Sequence, residues 1–115
     1  MNRRADLDAL MPARDNEGYL LEPADWSRAL APLLATEDGL TLTARHWTVL
    51  DFIRAWHADN ESVPEARRVI DHLAGPGGDK RAAKHALYEL FPNGYGQQAC
   101  RIAGVRKPLK LMLDV

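Results

Sequence analysis

From residue 23 onward, apolar side chains recur at three- and four-residue intervals, broken by glycine, proline and capping residues. That rhythm marks amphipathic helices. Trp26, Ala29, Leu30, Leu33 and Leu34 form one apolar face and predict a first helix over 23–36, with Pro23 in its first turn and Gly39 beyond its end. Pro32 falls inside that span and predicts a kink. Leu42 before Thr43 and Trp47 after it predict a stapled, capped start to a second helix over 44–59, whose face is Trp47, Leu50, Phe52, Ile53 and Trp56. Ser62-Val63-Pro64-Glu65 has the form of a capping box and opens a third helix with Ala66, Val69, Ile70 and Leu73 inward. Gly75-Pro76-Gly77-Gly78 stops it. Asp79 then caps a fourth helix over 80–90, with Ala83, Ala86, Leu87 and Leu90 inward. Phe91-Pro92-Asn93-Gly94 turns the chain into a short fifth helix over 96–103 that ends at Gly104.

The two ends follow other patterns. Asp15-Asn16-Glu17-Gly18 is a turn signal, and Tyr19-Leu20-Leu21 after it predicts a short strand and a small N-terminal β-hairpin. Residues 1–14 read as a flexible lead-in, and 105–115 as a C-terminal arm. In that arm Leu109, Leu111, Leu113 and Val115 alternate with Lys110, Met112 and Asp114. Period-two apolarity predicts an extended segment, partly buried by docking on its own core or on another chain. The fold class expected is α+β and mainly helical: about five helices, a small N-terminal β-hairpin or meander, and the arm, in a single domain over 1–115.

Composition agrees with that reading. A chain of 115 residues that is 46% hydrophobic suits one core. The N-terminus meets acidic residues early and has no apolar run behind it, so it does not read as a secretory signal, and no segment reaches the length of a membrane span. A cytoplasmic location and no membrane partner are expected. The net charge of −1 argues against general nucleic-acid binding. It conceals a polarity, however: residues 1–61 hold 6 basic and 11 acidic groups, and 62–115 hold 9 basic and 5 acidic. The basic set Arg67, Arg68, Lys80, Arg81, Lys84, Arg101, Arg106, Lys107 and Lys110 reads either as solvated helix faces or as a docking surface for an anionic partner.

The single cysteine, Cys100, excludes an internal disulfide and a Cys-rich zinc site. It is either a small core residue or a reactive thiol, with Arg101, Arg106 and Lys107 near enough in sequence to favour the thiolate. None of His46, His57, His72 and His85 forms an i, i+4 ligand pair, and His46 reads as a packing or capping residue. No metal and no cofactor is expected, since the Gly75–Gly78 loop lacks the Lys-Ser/Thr of a phosphate-binding loop. The tryptophans Trp26, Trp47 and Trp56 read as core. Lys80, Arg81 and Lys84 on the fourth helix, after a Gly-rich turn, leave open a helix-turn-helix-like DNA contact.

Several separated motifs, in order, resemble the DsrC/TusE family of sulfur-relay proteins. They are Asp15-Asn16-Glu17-Gly18-Tyr19-Leu20, Asp25-Trp26, Leu40-Thr41-Leu42-Thr43 leading to His46-Trp47, Phe52-Ile53-Arg54, and Pro64-Glu65-Ala66-Arg67. The most specific is Leu90-Phe91-Pro92-Asn93-Gly94 running into Gln98-Ala99-Cys100-Arg101-Ile102-Ala103-Gly104-Val105-Arg106-Lys107-Pro108. The resemblance implies a helical array on a small β-meander with a mobile C-terminal arm. It also implies a cytoplasmic carrier in which a cysteine near the end of the arm holds persulfide or trisulfide sulfur. DsrC members add a second cysteine about eleven residues upstream and work with dissimilatory sulfite reductase; TusE passes sulfur toward 2-thiolation of the tRNA wobble uridine. Cys100 matches the upstream cysteine, and the position eleven residues on is Leu111. Tyr95 stands where proline often follows the glycine.

The expected function is therefore a sulfur-relay (persulfide carrier) or accessory protein that docks to sulfur-transfer partners or sulfite reductase. Cys100 is the candidate sulfur-carrying thiol, and Arg67, Arg68, Lys80, Arg81, Lys84, Arg101, Arg106 and Lys107 are the candidate docking set. The alternative is a non-catalytic regulatory paralogue, DNA-binding through its basic region.

Overall fold

The structure is a computed structural model that describes residues 11–109. Four α-helices carry it: α1 Leu30–Glu37, α2 Ala44–Asn60, α3 Ala66–Ala74 and α4 Lys80–Leu90. A 3-10 turn at Pro23–Asp25 precedes them, and a π-helical segment, Tyr95–Cys100, follows. α3 packs on α4, and α2 packs on both α3 and the π-helical segment. Their shared core includes Leu34, Leu50, Ile53, Val69, Leu87, Phe91, Cys100, Ile102 and Val105.

The expected β-hairpin is not formed: among the described residues the chain has only an isolated antiparallel bridge between Arg14 and Leu20. The Asp15 carboxylate takes the Glu17 and Tyr19 N–H groups and so closes the turn locally. Tyr19 and Leu20 are then buried in the helical core, and Pro23 begins the 3-10 turn three residues later, which leaves no length for a ladder. Of the expected lead-in, residues 1–10 lie outside the described residues. Met11 packs on the core, and Arg14 makes a bidentate contact with Glu37 at 2.7 and 2.9 Å.

The first helix starts later than its apolar spacing predicts. α1 begins at Leu30, and Ala29 is exposed. Pro32 consequently lies in the first turn, where its missing N–H has no intrahelical partner to lose, and no kink is required. α3 also starts late, at Ala66 after Glu65. Proline disfavours helical backbone in the residue before it, Val63, so the Ser62 box does not close. Asp79 caps α4 as expected, accepting from the Arg81 and Ala82 N–H groups. Thr43 caps α2 with help from His46, whose Nδ1 accepts the Thr43 N–H at 3.0 Å. His46 Nε2, 2.8 Å from the Leu90 carbonyl, therefore carries the proton and donates.

Candidate functional site

Cys100 closes the π-helical segment and is fully buried. Two tyrosines far apart in sequence lie against it. Tyr95 donates its hydroxyl to the Pro64 carbonyl at 2.6 Å, and Tyr19 donates to the Gly96 carbonyl at 2.8 Å. Burial pushes the Cys100 thiol up to about 12, and its hydrogen bond with Tyr95 acts in the opposite direction. Burial likewise pushes Tyr19 up to about 12 and raises Tyr95. The resting thiol is thus protonated at neutral pH.

The cationic field expected from Arg101, Arg106 and Lys107 does not reach the thiol in this arrangement. Successive residues of a helix project in different directions, so Arg101 points away from Cys100. Its guanidinium bonds Glu37 Oε1 at 3.0 Å, Asp38 Oδ2 and the Gln97 carbonyl. Buried Gln98 donates to Asp38 Oδ2 and accepts the Asn93 N–H. Arg106 reaches the Leu21 carbonyl, and Lys107 pairs with Glu17 at 2.8 Å. These three cations fasten residues 101–107 to the N-terminal turn and the C-terminal end of α1.

The start of the C-terminal arm is fixed at a second junction. Trp26 Nε1 donates to the Ile102 carbonyl at 2.9 Å, and the Arg54 guanidinium lies 4.6 Å over the Trp26 ring. Arg54 also donates to the Ala103 and Pro23 carbonyls. Gly104 has φ +76°, and a Cβ there would sit 2.2 Å from Trp26 Cδ1. Beyond it Val105 and Pro108 are buried and Leu109 is 68% exposed. Residues 110–115, which include most of the alternating pattern and Leu111, lie outside the described residues. A pocket of about 260 Å³ opens beside this arm, lined by Tyr19, Tyr88, Asn93, Tyr95, Gln97 and Lys107 among others. Sequence reasoning missed Tyr19, Gln98 and the pocket; its signal at this place was Tyr95 itself, noted only as a departure from proline.

The other five docking candidates are brought together. Arg67, Arg68, Lys80, Arg81 and Lys84 line one open groove between α3 and α4 with Ile70 and Asp71. Of the tryptophans expected in the core, Trp56 is half-buried at the edge of this groove, and Trp26 and Trp47 are also only partly buried. Among the described residues no group of three or more His, Cys, Asp or Glu is placed to hold a metal ion, and no helix is long and apolar enough to cross a membrane.

Comparison with known proteins agrees with this architecture. The family model described as "DsrC like protein" matches residues 8–112. The sulfurtransferase TusE of Yersinia pseudotuberculosis is 43% identical over 96 residues, covering 84% of this chain and 89% of that protein. TusE of Salmonella typhimurium is 40% identical over 96 residues, covering 84% of this chain and 88% of its own. Among solved structures, the oxidized gamma-subunit of the dissimilatory sulfite reductase (DsrC) from Archaeoglobus fulgidus is similar with a TM-score of 0.74 at 27% identity, covering 85% of this chain and 90% of that one. Allochromatium vinosum DsrC gives 0.71 at 36% identity, covering 83% and 85%. A family model over most of its length and relatives at 40–43% identity agree, and the chain belongs to the DsrC-like family.

Proposed function

We infer that the protein is a sulfur-relay protein of the DsrC/TusE type that works by docking to sulfur-transfer partners. The observation that carries this reading is identity of 40–43% to TusE sulfurtransferases over 84% of the chain, with DsrC structures as its fold neighbours. The partners it fits are other sulfur-relay proteins or a sulfite reductase. The cytoplasm is the compartment this reading expects. The relatives and the family-wide match give no support to a DNA-binding regulator.

Cys100 is the sulfur-carrying thiol of this reading. Its burial requires the Tyr95–Cys100 segment, or what packs on it, to open before transfer. Once exposed and deprotonated, the Cys100 thiolate attacks the outer sulfur of a donor persulfide R–S–SH. A Cys100–S–SH bond forms, and the donor leaves as the thiolate R–S⁻. The test is incubation with a protein persulfide donor of the relay, with and without a docking partner, read by intact-mass spectrometry. A gain of one sulfur atom that Cys100→Ala abolishes supports the reading. Partner binding with no added sulfur reduces the protein to an accessory, and absence of both overturns the relay function.

A further inference from the structure

The groove between α3 and α4 is a candidate interface with an unusual floor and rim. Arg67, Arg68, Lys80, Arg81 and Lys84 line it against one carboxylate, Asp71, on a chain whose net charge is −1. Its floor is apolar Ile70. At one end it runs into a second depression that shares Arg68, Asp71 and Lys80 and is walled by Phe52, Trp56 and His72. There the His72 ring stacks on Phe52 at 4.5 Å, Trp56 lies 6.1 Å from Phe52, and the Arg68 guanidinium sits 5.7 Å over the Trp56 ring. Trp56 Nε1 is buried with no hydrogen-bond partner among the described residues. An indole N–H left so is an orphaned donor, and it makes the Trp56 ring the least settled member of this aromatic cluster.

We propose that this groove and its aromatic end form a docking site for an acidic segment of a partner protein, one that carries an apolar side chain among its carboxylates. The inference rests on the relay reading only in that a relay protein must dock; the chemistry is that of the surface itself. Tryptophan and arginine anchors beside an apolar floor, ringed by exposed charge, are the composition of a protein interface. The cations would steer an acidic partner and fix its register, and the aromatic end would seat its apolar residue. A nucleic-acid strand fits less well. α4 has 11 residues, about 16 Å of helix, which is a short track for a phosphate backbone. Asp71 lies within the groove, 3.2 Å from Lys80, and Glu65 pairs with Arg67 at 2.8 Å, so the cations are interrupted by carboxylates; a peptide can set its apolar side chain opposite those interruptions, whereas a phosphate backbone carries charge at every step. The polarity of the molecule, acidic in residues 1–61, would repel a longer polyanion beyond the groove.

The test uses the full chain labelled with 15N and three probes of equal charge: a Glu/Asp-rich peptide with one leucine, the same peptide with the leucine replaced by serine, and single-stranded RNA. The leucine peptide is expected to shift the Trp56 indole N–H and the amides of α3 and α4. It should bind at least 5-fold more tightly than the serine peptide and weaken as salt rises. The double charge reversal Arg68→Glu/Lys80→Glu should lower its affinity at least 10-fold while leaving the circular-dichroism spectrum and the sulfur loading of Cys100 by a small-molecule persulfide donor unchanged. Shifts elsewhere, no difference between the two peptides, or tighter binding of the RNA at these residues would each overturn the proposal. So would a concentration-dependent dimer that the double variant abolishes, since a second copy would then fill the groove. Loss of sulfur loading with peptide binding intact would instead count against the relay reading alone.

Discussion

Gly104→Ala is expected to lower stability by about 2–5 kcal/mol. Two independent costs meet at the position. With φ at +76°, an L side chain adopts a left-handed backbone, at about 1–2 kcal/mol. The new Cβ would also lie 2.2 Å from Trp26 Cδ1 and 2.5 Å from Cγ, so the ring must move. It cannot move freely, because its N–H holds the Ile102 carbonyl and Arg54 lies over its face. Losing those adds about 0.5–1.5 kcal/mol for the hydrogen bond and about 0.5–2 kcal/mol for the cation–π contact. Gly39→Ala is the control: φ is +69° but no heavy atom lies within 4 Å of its Cβ, so it carries the backbone cost alone. Urea unfolding followed by far-ultraviolet circular dichroism reads both as shifts in midpoint at unchanged slope. In a Trp26→Leu background the excess cost of Gly104→Ala should shrink toward that of Gly39→Ala. If the two alanine variants agree within about 0.5 kcal/mol in the natural background, the Trp26 junction does not fix the arm.

Three further outcomes follow from the buried groups. The Cys100 thiol is raised above its unfolded value of about 8.5 to about 12, so the folded state holds a proton that the unfolded state releases; stability is intact below pH 8.5 and falls as pH rises through 9–12. Urea titrations from pH 7 to 11 should show Cys100→Ala delaying that decline until the tyrosines titrate. Tyr95→Phe leaves the Pro64 carbonyl without its 2.6 Å donor and should cost about 1–3 kcal/mol by the same unfolding measurement. Arg101→Ala leaves Asp38 with only its Gln98 hydrogen bond and removes one of two guanidiniums from Glu37; because both carboxylates are partly exposed, the cost should be about 2–3 kcal/mol, less than for a fully buried pair. A thermal scan should place Arg101→Lys between the two.

What the sequence disclosed was local, and what it hid was set by tertiary contacts. Thr43 and Asp79 announce the starts of α2 and α4 because a capping side chain acts on the N–H groups two or three residues ahead of it. Apolar spacing found the faces of α3 and α4; on α2 it found Leu50 and Ile53 but missed buried Val49 and took the partly buried Trp47, Phe52 and Trp56 instead, and it placed Ala29 inside a helix that begins after it. Tyr19-Leu20-Leu21 has strand composition, but the bridge at Leu20 has no partner strand to extend it. Around Cys100, proximity in sequence misled: Arg101 is adjacent and faces Asp38, whereas Tyr19 is 81 residues away and lies against the thiol's segment. The α3–α4 groove was half legible. Its cations stand in the sequence, but only the fold separates them from Arg101, Arg106 and Lys107 and sets Trp56 at their edge.

Cys100 and Gly104 belong to one short stretch, and this ties the chemistry of the thiol to the stability of the arm. With its thiol raised to about 12, Cys100 is thiolate in about one part in 10⁵ at pH 7. Exposure restores an ordinary value near 8.5 and raises that fraction about 10³-fold. Reaction with an aromatic disulfide at pH 7 should therefore proceed through opened molecules, at a rate proportional to their population. Gly104→Ala destabilises the closed state, and if opening is global its about 2–5 kcal/mol accelerates labelling about 30-fold or more. Gly39→Ala, at the far end of α1, should accelerate labelling only by its own smaller loss of stability. Should Gly104→Ala speed labelling well beyond its measured loss in urea, the segment opens locally, ahead of the rest of the fold. Labelling that is fast in the natural chain and insensitive to Gly104→Ala would show instead that the thiol is reached without moving the arm, and the requirement for opening before sulfur transfer would fall.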